Sequence, residues 1–243
     1  TDTFTVVLDA QPSSDVVLSI SSADTGEATV TSTLTFTSAN WDTAQTVTVT
    51  GADDDLIDGT ITSTITVSVN DGSSDDNFDS VSDQTISVAT TDDDVAGFTI
   101  ALTGGSTSVD ESGTTDTFTV VLDAQPSSDV VLSISSADTG AATVTSTLTF
   151  TSANWDTAQT VTVTGVDDDL IDGAQTSSLT IAVIDAISDD NFDAVSDQTV
   201  SVTTTDDDVA GFTITETGGS TSVAESGTTD TFTVVLNAEP DSD

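Results

Sequence analysis

Along this chain apolar residues return at every second position in short runs, separated by clusters of Asp, Gly, Ser and Thr. In DTFTVVL (116–122) Phe118, Val120 and Leu122 share one face, and in DVVLSIS (129–135) Val130, Leu132 and Ile134 do. The same alternation marks Leu148 and Phe150 in 146–152, and Val161 and Val163 in 158–166. It continues through Leu179, Ile181 and Val183 in 177–184, and Val200 and Val202 in 197–204. Residues 97–102 and 106–111 supply one further strand, in two pieces. A period of two belongs to strands with one buried face. Thr fills the outward positions, where β-branched residues suit an exposed pleat. No helical period appears.

Seven short strands of this kind predict an all-β, immunoglobulin-like sandwich. A domain of this size buries roughly 65% of its unfolded surface, enough for one core. Trp155, in SANWDTAQ, is expected to plug a loop at one end of the sandwich, with sugar stacking as the alternative.

The pattern also repeats over a longer distance, which decides the domain organisation. TDTFTVVLDAQPSSDVV begins at Thr1 and again at Thr115, and TDTFTVVLNAEP begins at Thr229, giving a 114-residue period. Residues 1–94 and 115–208 differ at about 14 positions, among them Glu27 against Ala141 and Asn70 against Ile184. The expected division is residues 1–94, a repeat without its first strand; 95–208, a complete repeat; and 209–243, the opening strands of a third. Tandem sandwich repeats from a longer array are the economical reading. The rival is a filament subunit in which the opening strands of one chain complete the first repeat of another.

Charge changes the picture further. The 243 residues hold 43 acidic side chains and no Lys, Arg, His or Cys, for a formal charge of −43. No side-chain ion pair can form, and DNA, RNA and anionic membrane surfaces repel such a chain. No apolar run approaches the ~18 residues a membrane span needs. Nucleophilic pairs using His or Cys are ruled out, as are disulfides and thiolate metal sites. The apolar fraction of 35%, arranged periodically, argues against disorder.

The acids are not spread evenly. VTGADDDLIDG (49–59) returns as VTGVDDDLIDG (163–173), and TTDDD closes both copies at 90–94 and 204–208. In a sandwich of alternating strands, the segments after the first, third, fifth and seventh strands share one end. These carry Asp110 and Glu111; Asp138; Asp167, Asp168 and Asp169 with Asp172; and Asp206, Asp207 and Asp208. Two carboxylates ~5 Å apart repel by under ~1 kcal/mol in bulk water and by several at lower effective dielectric. Without basic side chains, a hard divalent cation is the natural remedy. Calcium takes 6–8 oxygens in irregular geometry, magnesium is stricter, and zinc prefers His or Cys. The first repeat offers Asp24, Asp53, Asp54, Asp55, Asp58, Asp92, Asp93 and Asp94, and the third offers Glu225. DDNFD (75–79 and 189–193) falls at the opposite end and reads as a solvated loop, with donation of a ligand across the junction between repeats as the alternative.

SVDESGTTDTFTVVL, ADTGAATVTSTLTFTSANWDTAQTVTVTGVDDDLIDG and the closing TTDDD resemble Calx-β-like repeats, along the whole chain. Such repeats occur in the calcium-binding domains of sodium–calcium exchangers and in very large bacterial surface proteins. The resemblance implies calcium held by Glu111, Asp138, Asp167 to Asp169 and Asp206 to Asp208. Where the exchanger pattern continues with glutamates, this chain has Asp172 and Gly173, so the number of ions stays open.

Other chemistries fit less well. Asp-Thr-Gly at 24–26 and 138–140 matches the aspartic-protease triplet but lacks its apolar lead-in. DDDLIDG has the wrong spacing for an EF-hand loop. Acidity as salt adaptation explains scattered residues such as Asp15 and Asp83, but not convergence at one end. The expected function is therefore non-enzymatic: a structural repeat of an extracellular fibre, stalk or adhesin, stiffened by calcium near the inter-repeat junctions. Its expected partners are neighbouring repeats of the same or an identical chain, with a cell-surface or glycan target as a further possibility.

Overall fold

A computed structural model describes residues 1–240. The chain divides into two compact units between Val95 and Ala96. In the first, seven strands follow the alternating pattern: β1 (Asp2–Val6), β2 (Val16–Ser22), β3 (Ala28–Val30), β4 (Thr33–Phe36), β5 (Gln45–Gly51), β6 (Ile61–Val69) and β7 (Gln84–Thr90). They form two antiparallel sheets, ordered β1-β5-β3 and β4-β2-β6-β7. Val16, Leu18, Ile20, Phe36, Val47 and Ile65 interdigitate between them.

The second unit contains a larger sandwich: β8 (Phe98–Leu102), β9 (Thr107–Asp110), β10 (Thr115–Leu122), β11 (Val130–Ser136), β12 (Ala142–Val144), β13 (Thr147–Phe150), β14 (Gln159–Gly165), β15 (Gln175–Val183) and β16 (Gln198–Thr205). Four strands, β12-β14-β10-β8, make one sheet and five, β13-β11-β15-β16-β9, the other. This is an all-β sandwich of the immunoglobulin-like class. The inward residues expected from alternation are buried: Phe118, Val120, Leu132, Phe150, Val161, Leu179, Ile181 and Val202. Val183 is only half-buried.

Two features go beyond the periodic reading. The opening strand changes sheets. β8 pairs antiparallel with β10 in one layer, and β9 pairs parallel with β16 in the other. Between them Gly104 and Gly105 take positive φ (71° and 84°), a conformation L side chains rarely adopt. The short β12 pairs with β14 and is too brief for alternation to reveal. Where β9 ends, its backbone presses on Gly165, and a Cβ there would collide with the Asp110 carbonyl oxygen. The last pair, β17 (Phe212–Glu216) and β18 (Phe232–Leu236), is an antiparallel two-stranded sheet in the second unit with both faces exposed. Trp155 is half-buried in the β13–β14 loop, where its carbonyl accepts from the Leu122 N–H at 3.1 Å. Among the described residues no helix is long and apolar enough to cross a membrane.

Candidate metal centre

Three elements of the second unit deliver carboxylates to one place. Glu111 follows β9, held by its own N–H donating to the Thr205 carbonyl at 3.0 Å. Asp167, Asp168 and Asp169 open the β14–β15 loop, and Asp206, Asp207 and Asp208 follow β16. Ligand atoms of Glu111, Asp168 and Asp208 lie within 4.8 Å of one another, and among the described residues no other set of three does so. Asp168 is exposed, Asp208 half-buried and Glu111 only 1% exposed.

The remaining acids at this end hold the loops. Asp206 Oδ2 accepts from the Gly173 N–H at 2.8 Å, and its Oδ1 accepts from the Asp208 N–H at 2.8 Å. Gly173 has φ +76°, so DLIDG can turn back towards Asp206 only with glycine there. Asp168 Oδ1 accepts from the Leu170 N–H at 2.7 Å, which leaves its other oxygen for the cluster. Asp138 Oδ1 accepts from the N–H groups of Gly140 (2.9 Å) and Ala141 (3.3 Å), closing its own turn. Asp138 thus reaches the correct end, since Ala141 accepts from Thr204 Oγ1, yet it lies outside the close triad. Asp110, beside Glu111, accepts from the Ser112 N–H and from Thr205 Oγ1, each at 3.0 Å. Asp167, Asp169, Asp172 and Asp207 are exposed around the rim.

Glu111 Oε2 and Asp208 Oδ2 are buried without a hydrogen-bond partner. Leaving such atoms unpaired costs more than the mean worth of a hydrogen bond. Burial, then the charges of Asp168, Asp206, Asp172 and Asp207, pushes the Glu111 carboxyl above its ordinary range. Burial, then Asp169, Asp206, Asp207 and Asp167, does the same to Asp208. No protein cation can relieve this crowding, because the chain has none beyond its amino terminus. Oxygen-only donors converging from three segments suit a hard divalent ion and offer nothing to a soft one.

The first unit builds the same loops. Asp92 Oδ2 accepts from the N–H groups of Asp58 (3.0 Å) and Gly59 (2.7 Å), and Asp92 Oδ1 from that of Asp94 (2.8 Å). Asp54 accepts from the Leu56 N–H at 2.9 Å, and Asp24 from that of Gly26 at 3.0 Å. A residue that pattern reading passed over joins them. Glu27, the counterpart of Ala141, is half-buried beside Asp53, Asp54, Asp58 and Asp92 around a cavity of about 20 Å³. Burial, then Asp58, Asp54, Asp24 and Asp92, raises its carboxyl. Three of these, Asp54, Asp58 and Asp92, have counterparts around Glu111 in Asp168, Asp172 and Asp206. The available signal was a single substitution that adds a carboxylate to the turn. Asp55 and Asp93 are exposed, Asp94 is half-buried, and Glu225 is exposed and outside any close triad.

At the opposite end, DDNFD is not simply a solvated loop. Asp75 and Asp189 are 3% exposed. Asp75 accepts from Ser13 N–H and Oγ, Ser14 N–H, and Asn77 N–H and Nδ2 at 2.6–3.1 Å. Asp189 accepts from Ser127 Oγ, Ser128 N–H and Asn191 N–H at 2.6–3.0 Å. These donors hold Asp75 well below the usual carboxylate range, the Ser13 hydroxyl foremost. For Asp189 burial pulls upward, but the donors outweigh it and the carboxyl lies below 3.8.

No protein-family model and no curated protein matches the sequence. Among solved structures, the chain is similar to domains 4 and 5 of the S-layer protein SbsC, at 19% identity and TM-score 0.37, covering 77% of this chain and 70% of that one. It is also similar to the apo form of the Calx CBD1 domain, at 16% identity and TM-score 0.33, covering 46% and 98%. A third similarity is to CBD12 from CALX1.2, at 14% identity and TM-score 0.32, covering 74% and 73%. Similarities this distant carry no functional weight, and the fold stands on the strand pairings themselves.

Proposed function

We propose that this chain is a structural repeat module of an extracellular or cell-surface assembly, and that calcium binds at the acidic end of each sandwich. One observation carries the reading. Glu111 is a buried carboxylate with an unpartnered oxygen, facing Asp168 and Asp208 in a protein without basic side chains. Such a group is costly unless a cation or a proton joins it. Calcium would be held by Glu111, Asp168 and Asp208, with Asp138, Asp167, Asp169, Asp172, Asp206 and Asp207 supplying further charge. In the first unit Asp24, Asp53, Asp54, Asp55, Asp58, Asp92, Asp93 and Asp94 would act likewise, and Glu225 in the third.

The mechanical consequence follows from the placement of the ligands. Asp208 is the last residue before the chain leaves the repeat, while Glu111 and Asp168 are fixed to the sandwich. An ion bridging them ties the departing backbone to the body and fixes its direction. Near-identical copies suit regular spacing better than diversified recognition or catalysis. Extracellular modules bind calcium at roughly 10⁻⁴–10⁻³ M, which matches a calcium-rich exterior.

The test is thermal unfolding with calcium, chelator, magnesium and matched sodium chloride, combined with calcium titration calorimetry. A calcium-specific rise in melting temperature, lost from the second unit in Glu111→Gln, is the expected result. An equal response to every salt would favour acidity as salt adaptation and overturn the metal reading.

A further inference from the structure

The chain contains three Asp-Gly pairs, Asp58-Gly59, Asp71-Gly72 and Asp172-Gly173, and the fold treats them differently. Such a pair has chemistry of its own. The main-chain nitrogen that follows an aspartate can attack the side-chain carboxyl carbon, and glycine hinders that approach least because it has no Cβ. All six residues are exposed, so access to water does not distinguish the pairs. The glycine N–H does. Gly59 donates to Asp92 Oδ2 at 2.7 Å, and Gly173 to Asp206 Oδ2 at 2.8 Å. A charge-assisted bond to a second carboxylate therefore pins each of these peptide groups.

Gly72 has no such guard. It lies in a single 3-10 turn, Asp71–Ser73, in the loop between β6 and β7. The turn is closed by the Ser73 N–H donating to the Asn70 carbonyl at 2.9 Å and, weakly, by the Ser74 N–H donating to the Asp71 carbonyl at 3.4 Å. The Gly72 N–H has no hydrogen-bond partner among the described residues. Nor does the backbone require glycine there. Gly59 and Gly173 have positive φ, and Gly72 does not. A Cβ on Gly72 would meet nothing within 4 Å. In the second unit Ala186 sits in the equivalent turn, Asp185–Ile187, closed by the Ser188 N–H donating to the Asp185 carbonyl, again at 3.4 Å.

We propose that Asp71-Gly72 is a site of spontaneous covalent modification, where Asp71 converts to isoaspartate while the two guarded pairs are spared. The Gly72 nitrogen bonds to Asp71 Cγ, and its proton leaves with the carboxyl hydroxyl as water, giving a cyclic imide. Water then opens the ring. Addition at Cγ restores aspartate. Addition at the main-chain carbonyl carbon breaks the bond from that carbon to the Gly72 nitrogen, and the chain then runs through Cγ as isoaspartate. One water leaves and one enters, so no oxidant, reductant or enzyme takes part. Local opening of one exposed turn is enough to allow the attack. The product lengthens the main chain shortly before Asp75, the carboxylate that ties down Ser13 and Ser14. The mark accumulates with age in the first unit and is absent from the second, and it does not depend on the metal reading.

In the test, the full chain is aged at neutral pH in heavy-oxygen water with chelator, then cut with chymotrypsin and fragmented by electron transfer. Each ring opening leaves one heavy oxygen in the affected carboxyl, and the fragments separate isoaspartate from aspartate. Label at Asp71 is expected to exceed that at Asp58 and Asp172 by roughly tenfold or more, the slowing that a hydrogen bond to a charged group confers. Gly72→Ala should lower Asp71 to the level of Asp185. Asp206→Ala should raise labelling at Asp172 towards that of Asp71. In strong denaturant the three pairs should react at similar rates, which assigns the difference to the fold. Equal labelling of the three pairs in the native chain, no label at Asp71, an unchanged rate in Gly72→Ala, or a difference that persists in denaturant overturns the proposal. Continued protection of Asp172 in a folded Asp206→Ala chain overturns the guarding role of the hydrogen bond.

Discussion

The two sandwiches are nearly the same sequence but differ in their outer strands. In the second, β8 and β9 cover both layers, and Phe192 is wholly buried. In the first, the corresponding edges are open, and Phe78 lines a groove instead. The acidic ends differ in the opposite sense. The complete repeat receives its buried glutamate from the opening strand as Glu111, with Ala141 in the neighbouring turn. The first unit places Glu27 in that turn, among the same loop aspartates. One residue change thus adds a carboxylate to this turn while the strand register around it stays the same.

Truncating the two phenylalanines probes this difference most strongly. Phe192→Ala should cost about 3–5 kcal/mol, whereas Phe78→Ala should cost about 1–2 kcal/mol because it is only partly desolvated. Calorimetry of the two transitions checks this, and equal losses would break the comparison. Next in size is the buried aspartate that both units share. Asp189→Ala strands the Ser127, Ser128 and Asn191 donors and should cost about 2–3 kcal/mol at neutral pH. Because the folded carboxyl lies below its ordinary 3.8, its contribution is present above that pH and is lost as pH falls through the lower folded value. The gap between the parent and Asp189→Ala in urea denaturation should therefore narrow as pH falls below the ordinary carboxylate range.

Calcium gives a smaller effect. At tenfold excess over its dissociation constant each site adds about 1.4 kcal/mol. Glu111→Gln should remove that increment from the second unit and leave the first unchanged. The smallest effect concerns Glu27. In chelator, Glu27→Ala should raise the melting temperature of the first unit slightly, by removing a carboxylate from a crowded turn. In calcium, it should reduce that unit's response. A first unit indifferent to Glu27 in both buffers would show that the two ends do not substitute for one another.

Much of this architecture was legible in the chain itself. Alternation assigned the inward faces of β10, β11, β13, β14, β15 and β16, because a half-buried strand imposes a period of two whatever its partners. Strand direction placed the acidic knots at one end. What escaped was set by tertiary contacts without a local signature. Asp189 looks like its neighbours Asp190 and Asp193, and the distant Ser127 hydroxyl and Ser128 N–H folded over it make it a buried anchor. Glu111 could be nominated by resemblance, but its burial arises where β9 switches sheets and packs beside Gly165. Asp138 lies outside the triad, with its Oδ1 engaged by the N–H groups of its own turn, a separation that sequence spacing does not reveal.

The parallel pairing of β9 with β16 also has a mechanical meaning. Tension entering through β9 and leaving through β16 pulls these two strands in opposite directions along their length. Their bridging hydrogen bonds are then loaded together, as rivets in a lap joint are, and none can be peeled off ahead of the others. A repeat anchored in this way resists being drawn out until the whole seam slips at once.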